Sequence, residues 1–208
     1  MKKRFNVLLT GQNYQKLMKR VNYLASTRTS VILLSLFLYQ SSTLTEKQIR
    51  HQLEQVRGDS EKEKFYFEAS PYLVNTLKNK KRYLYSLDEY VTAILNFLLE
   101  DEQYEWGEAD EKQEKVTSIY TIDKNLAKWL DRFSSKSGIS QTTLLNYSFM
   151  NAIANFSEID KTNDRIKKGF FLTQSSLDYF ETRPEIKKAA IIENHIKEMQ
   201  KIENKKAL

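Results

Sequence analysis

Arg4, Asn6 and Leu8 stand at alternate positions in a short segment, with apolar Phe5, Val7 and Leu9 between them and at its end. A period of two is that of a half-buried strand, so the three would share one face. On such a face a guanidinium can donate to guanine, a carboxamide can pair with adenine, and a leucine can touch a thymine methyl. The same residues serve equally as the polar side of an ordinary strand. A second chemistry lies in two hydroxyl-rich stretches, Thr27, Arg28, Thr29, Ser30 and Ser140, Gln141, Thr142, Thr143, each opening a more apolar run. Free N–H groups and the positive dipole end at a helix start attract anions, and hydroxyls there add hydrogen bonds. Capping the helix is their other role.

The elements that would position these residues recur four times. Each unit is a short strand, an amphipathic helix, a tight turn and a second, more apolar helix, with strands beginning near Arg4, Lys64, Thr117 and Lys167. In the first copy Leu17, Met18, Val21, Leu24 and Ala25 keep helical spacing, and Val31 to Tyr39 is the second run. The second copy has Ser70 and Pro71 as cap and first helical residue, then Ser86 opening a helix with Tyr90, Val91, Ile94, Leu95 and Leu98. In the third, Val116 to Ile122 is strand-like, Asp123 is a cap, and Ser137 to Ser140 form the turn. The fourth has Phe170 to Leu172 as strand, Thr173 as cap, and Pro184 as the start of its last helix. Such a unit cannot bury its apolar face alone, so copies must pair.

On this strand, helix, turn and hydroxylated second-helix start, the chain resembles the ribbon-helix-helix (Arc/Met repressor-like) superfamily. The resemblance covers most of the chain, excluding the connecting segments and the final tail. The second and fourth copies depart from it where Asp88 with Glu89, and Lys187 with Lys188, replace the hydroxyls. It implies a mainly α fold with short β-ribbons, the tandem units forming two intramolecular pseudodimers. Because an unpaired strand leaves its hydrogen-bonding edge open, the first strand is expected to pair with the second and the third with the fourth. The division expected is an N-terminal pair over residues 1–102 (copies 1–44 and 62–102), an acidic linker over 103–114, and a C-terminal pair over 115–208 (copies 115–156 and 165–200).

A two-stranded ribbon fits the major groove. The base-contact candidates are Arg4, Asn6 and Leu8, then Lys64 and Tyr66, then Thr117, Ile119 and Thr121, then Lys167. In the third strand Val116, Ser118, Tyr120 and Ile122 are the alternative outward set, and the register stays open. The phosphate-contact candidates are Lys2, Lys3, Thr27, Arg28, Thr29, Ser30, Ser140, Thr142, Thr143, Lys187 and Lys188. The function this implies is sequence-specific binding of double-stranded DNA, as a bacterial or mobile-element transcriptional repressor. An accessory binder in plasmid partition, replication or conjugative transfer is the alternative, as is a protein-interaction scaffold with degenerate repeats. Double-stranded DNA is the expected partner, with further self-association and a replication or transfer protein as additional ones.

Composition bounds this reading. A chain of 208 residues with 40% apolar content can bury one large core or two small ones. The absence of cysteine excludes disulfides and thiolate metal sites and suits a reducing cytoplasm. No membrane span is expected, since the apolar run Val31 to Tyr39 is short and interrupted by Ser35, and no signal peptide, since no apolar stretch with a small-residue cleavage site directly follows the basic Met1 to Arg4. The net charge of +6 is unevenly spread: Lys2, Lys3, Arg4, Lys16, Lys19, Arg20 and Arg28 make the first copy wholly basic. Glu100, Asp101, Glu102, Glu105, Glu108, Asp110, Glu111 and Glu114 reverse the sign and read as a solvated linker.

Thr45 to Val56 suggests an extra helix with Gly58 as its stop, Ser157 to Asp164 a polar turn, and Lys197 to Leu208 a charged helical tail expected to fray. An enzyme is not expected. His51 and His195 are the only histidines, no metal-ligand spacing or phosphate-cradling glycine loop is present, and Trp106 and Trp129 read as packing residues. No catalytic residue, cofactor or metal is assigned.

Overall fold

The structure, a computed structural model, describes residues 2–39, 44–81, 83–100, 107–154 and 164–206. Asp101, Glu102, Glu105 and Trp106, and all but the last residue of the polar turn expected from Ser157 to Asp164, lie outside the described residues. In chain order the elements are β1 (Lys3–Leu9), α1 (Gly11–Tyr23), α2 (Arg28–Leu38), α3 (Glu46–Gly58), β2 (Glu63–Ala69), α4 (Pro71–Lys80) and α5 (Leu87–Glu100). There follow β3 (Lys115–Asp123), α6 (Lys124–Ser137), α7 (Gln141–Met150), β4 (Arg165–Thr173), α8 (Gln174–Glu181) and α9 (Lys188–Lys206). The fold is mainly helical with two small antiparallel sheets, β1 with β2 and β3 with β4.

Local chemistry explains the boundaries. Thr10, Thr27, Ser70, Ser140 and Thr173 each accept a hydrogen bond from the backbone N–H three residues on, and Asp123 accepts from Asn125 and Leu126. Thr45 and Gln48 form a reciprocal capping box at α3. The turn from α1 to α2 passes through Ala25 at φ 46°, and that from α6 to α7 through Gly138 at φ 81°. Both stand two residues before a cap, so the two turns share one left-handed step, which glycine takes without the steric cost that alanine bears.

Two boundaries differ from expectation. Residues 182–187 form a turn, so the last helix begins at Lys188 rather than at Pro184. Its C-terminal part stays docked where fraying was expected: Met199 and Glu203 are buried, the Trp129 indole donates to Glu203 at 2.9 Å, and Lys136 pairs with the same carboxylate. Trp129 also stacks on Phe133 at 5.1 Å.

The pairs share one continuous apolar core. Phe37 of α2 meets Phe133 of α6 edge-on at 4.9 Å, and the Lys136 ammonium lies 4.7 Å from the Tyr72 ring of α4. Residues 107–114, expected to be solvated, are strapped to α1. Ala109 N–H donates to the Lys19 carbonyl at 3.2 Å and Gln113 N–H to that of Asn22 at 3.0 Å. Asp110 pairs with Lys19 at 3.0 Å, and Glu108 lies 3.8 Å from Arg20. The strap thus takes up two cations of the basic first copy. The hydrogen bond from Lys19 to Asp110 raises the lysine pKa, whereas burial pulls that of Arg20 down against the opposing charge of Glu108.

Candidate nucleic-acid interface

The register of the first ribbon sets Arg4 opposite Glu68, Asn6 opposite Tyr66 and Leu8 opposite Lys64. All six lie on the side away from the core, while Phe5, Val7, Phe65 and Phe67 are buried on the other. The first-ribbon base-contact candidates therefore share one face. Phe5 and Phe67, cross-strand partners, stack beneath it at 5.2 Å. On the outer side the Arg4 guanidinium lies 4.3 Å from the centre of the Tyr66 ring, and the Lys64 ammonium 5.9 Å from it. A cation over an aromatic face is held without losing its charge. Lys2 is 3.9 Å from Glu68 at the ribbon end.

What fixes this ribbon is a polar stripe on α5. Asp88, Thr92 and Asn96 accept from the backbone N–H groups of Asn6, Leu8 and Thr10 at 3.2, 3.4 and 3.1 Å. Side chains four apart on a helix advance about 6 Å, close to the roughly 6.7 Å between alternate residues of a strand, so the two rows stay in step. The open edge of β1 is thereby satisfied without another strand. The same device recurs at two other strand-to-helix junctions: Glu193 of α9 accepts from Asp123 N–H at 2.9 Å, and Asn146 of α7 from Thr173 N–H at 3.3 Å. In all three cases the strand's N–H donates to the second of the two helices that follow its partner strand. The sequence carries a signal for it: Asp88, Thr92 and Asn96 recur every fourth position in a helix whose other residues from Tyr90 to Leu99 are apolar.

In the second ribbon the open register is resolved. Thr117, Ile119 and Thr121 face outward, and Ser118, Tyr120 and Ile122 face the helices. Lys167 is opposite Thr121, Gly169 opposite Ile119, and Phe171 opposite Thr117. Ile119 is 69% exposed and Phe171 54%, so this face is apolar at its centre.

The hydroxyl stretches are placed differently from the expectation of two separate anion sites. They meet each other where α2 and α7 pack together. Ser30 and Thr143 are buried with their hydroxyls 2.8 Å apart, Ser140 N–H donates to Ser30 at 2.8 Å, and Ser26 also bonds Thr143. The physical reason is that buried hydroxyls must find partners, and each stretch supplies them for the other. Ser30 and Thr143 therefore lie away from any ligand in this arrangement, with Ser140 and Thr142 half-buried beside them. Thr27 is exposed but caps α2, accepting from Ser30 N–H at 3.2 Å. Arg28 donates to the Tyr14 hydroxyl at 3.2 Å and covers the Phe65 ring at 4.8 Å.

Of the remaining phosphate-contact candidates, Lys3 is paired with Asp88 at 3.1 Å. Lys187 and Lys188 are exposed at the start of α9, where the hydrogen bond that Lys188 donates to Glu181 raises the Lys188 pKa. The start of α5 has the opposite charge: the Ser86 N–H and hydroxyl hold the Glu89 carboxyl below its ordinary value, beside Asp88. A groove of about 530 Å³ along the first ribbon collects Lys2, Arg4 and Thr29, together with Ser70 and, from the other pair, Ser135. That seam groove has no signature in the sequence, because it needs residues from three units distant in sequence.

Among the described residues no cluster of three His, Asp or Glu side chains could hold a metal ion. Among them also, no single helix is long and apolar enough to cross a membrane; α1 and α2 together reach the required length, but at a bend of 102°. No protein-family model, curated protein or solved structure matches this chain.

Proposed function

We propose that the chain is a sequence-specific double-stranded DNA-binding protein, organised as two intramolecular ribbon-helix-helix pairs, that represses transcription by occupying its site. The observation that carries this reading is the outward face of the first ribbon. Arg4, Asn6, Leu8, Lys64 and Tyr66 stand there together, over a buried aromatic floor and beside a helix that satisfies the ribbon's edge. A two-stranded ribbon of this width enters the major groove, where Arg donates to guanine and Asn pairs with adenine. Covalent linkage makes the two strands of the ribbon different, so the site need not be symmetric.

The test is recovery of genomic fragments bound by the full chain, followed by footprinting. Arg4→Ala and Asn6→Ala should each cost about 1–3 kcal/mol on the recovered site and far less on a scrambled duplex. Thr29→Ala, at the groove, should weaken both equally, because a phosphate contact carries no base information. Equal losses for Arg4→Ala on cognate and scrambled DNA would refute base reading by this face. A site in the chain's own promoter supports repression, whereas clustered sites at a replication or transfer origin support an accessory role there.

A further inference from the structure

Gly169 occupies the centre of the second ribbon, directly opposite Ile119, and nothing in the fold requires a glycine there. Its φ is outside the left-handed range, and a Cβ added to it would meet no atom within 4 Å. Glycine weakens a strand interior and serves there to make a bulge, a bend or room for another molecule against the backbone; the register runs unbroken through Gly169, which leaves the last of these uses. Ile119 and Phe171 flank this gap with their side chains largely exposed, and Thr117 and Thr121 stand beside them. The cations Lys115 and Lys167 lie on the same face, and none of its exposed positions is acidic.

An apolar centre with a cationic rim discriminates between occupants. A second chain docking face to face would set like charges against each other. A polyanion presenting small apolar groups satisfies both features. In the major groove that apolar group is the C5-methyl of thymine.

We propose that the second ribbon reads thymine methyl groups, with Ile119 and Phe171 covering them while Gly169 lets the strand backbone settle against the groove floor. The assignment rests on the DNA-binding reading above and adds to it the base recognised and the ribbon that recognises it. Each pair then contributes a different chemistry, hydrogen bonding from Arg4 and Asn6 beside Leu8 in the first ribbon and methyl contact alone in the second.

The test starts from a duplex selected on the full chain from a random-sequence library, resynthesised with uracil in place of thymine at one position at a time. Uracil keeps the base pair and removes only the methyl. Binding should weaken about fourfold for each contacted methyl, the worth of one buried methyl group. In the Ile119→Ala, Phe171→Ala double variant the replacements under the second ribbon should change nothing, while any thymine under Leu8 of the first ribbon should respond as in the wild type. A double variant as sensitive as the wild type at every position would overturn the proposal. Gly169→Val should leave the thermal midpoint unchanged or raised and weaken binding of the all-thymine duplex about tenfold or more.

Uracil replacements that are silent at every position, or Gly169→Val binding as the wild type does, would overturn the proposal while leaving DNA binding intact. Loss of thermal stability in Gly169→Val would also overturn it, since the glycine would then serve the fold. If light scattering shows a dimer that Phe171→Ala dissociates, the face is a chain-to-chain interface and the proposal is wrong. Failure to select any duplex would sink the DNA-binding reading itself.

Discussion

Beneath the first ribbon Phe5, Val7, Phe65 and Phe67 are buried, and beneath the second Ile122, Phe170 and Leu172 are equally so. Outside, the first carries Arg4, Asn6, Lys64 and Tyr66, and the second Thr117, Ile119, Gly169 and Phe171. The inward sides are held to one pattern because both must close a core against two helices, which fixes register as well as burial. No such constraint acts outward. The difference teaches that two ribbons packed alike on their inner sides can carry separate chemistries on their exposed faces.

Breaking the shared packing should have the largest effect. Asn96 is fully buried, donates to the Leu8 carbonyl at 2.9 Å and accepts from Thr10 N–H and from Asn13. Asn96→Leu keeps the volume and strands these groups, so it should cost roughly 3–4 kcal/mol in denaturant unfolding. Asn146→Leu should cost a similar amount in the other pair, where the same amide binds Thr173 N–H, the Ser176 hydroxyl and the Leu24 carbonyl. A loss under 1 kcal/mol at both positions would show that the edge bonds do not hold the ribbons.

These two asparagines also mark how far the sequence could be read. Alternation and capping residues placed the strands and most helix starts, because those signals are local and periodic. Pairing of neighbouring strands followed from the need to satisfy open edges. The mutual burial of Ser30 and Thr143 was not legible, since a hydroxyl at a helix start has the same local signature whether it caps, binds an anion or meets another hydroxyl across 113 residues. The strapped segment was misread for a related reason: an acidic run looks solvated until the cations it lies against, Lys19 and Arg20, are known.

Acid should separate the two pairs next. His51 in the first is exposed, whereas His195 in the second is buried between Phe149 and Tyr179. Burial, helped by the charge of Arg183, pulls its pKa down to about 3 from 6.5. The unfolded chain takes up this proton near its ordinary value and the folded chain does not, so stability falls as pH drops below that value, by up to about 1.4 kcal/mol per pH unit. At pH 5 this is a loss of roughly 2 kcal/mol. His195→Gln should flatten that part of the pH profile of unfolding; identical profiles for His195→Gln and wild type would exclude the imidazole as the cause.

The seam between the pairs comes third. Thr143→Val removes the hydroxyl shared with Ser26, Ser30 and Ser140 but keeps the shape. A cost of about 1–2 kcal/mol is expected, because the serine hydroxyls lose a buried partner. Adding Ser30→Ala to this variant should cost less than the same change in the wild type, since the pair has already been uncoupled. Strict additivity would mean that the hydroxyls act separately.

The smallest effect belongs to Phe171, and its contrast with adjacent Phe170 is the sharpest version of the comparison. Phe170 is 3% exposed and packs near Tyr120 at 6.4 Å between ring centres, while Phe171, one residue on, points out beside Gly169. Phe170→Ala should cost about 3–5 kcal/mol by opening a cavity. Phe171→Ala should fall within about 0.5 kcal/mol of the wild type, since it removes little buried surface and leaves no polar group unpaired. Thermal unfolding of both variants measures the difference directly. Matching losses would mean that the second ribbon is covered on both sides in solution, and that its outward face belongs to the core rather than to a ligand.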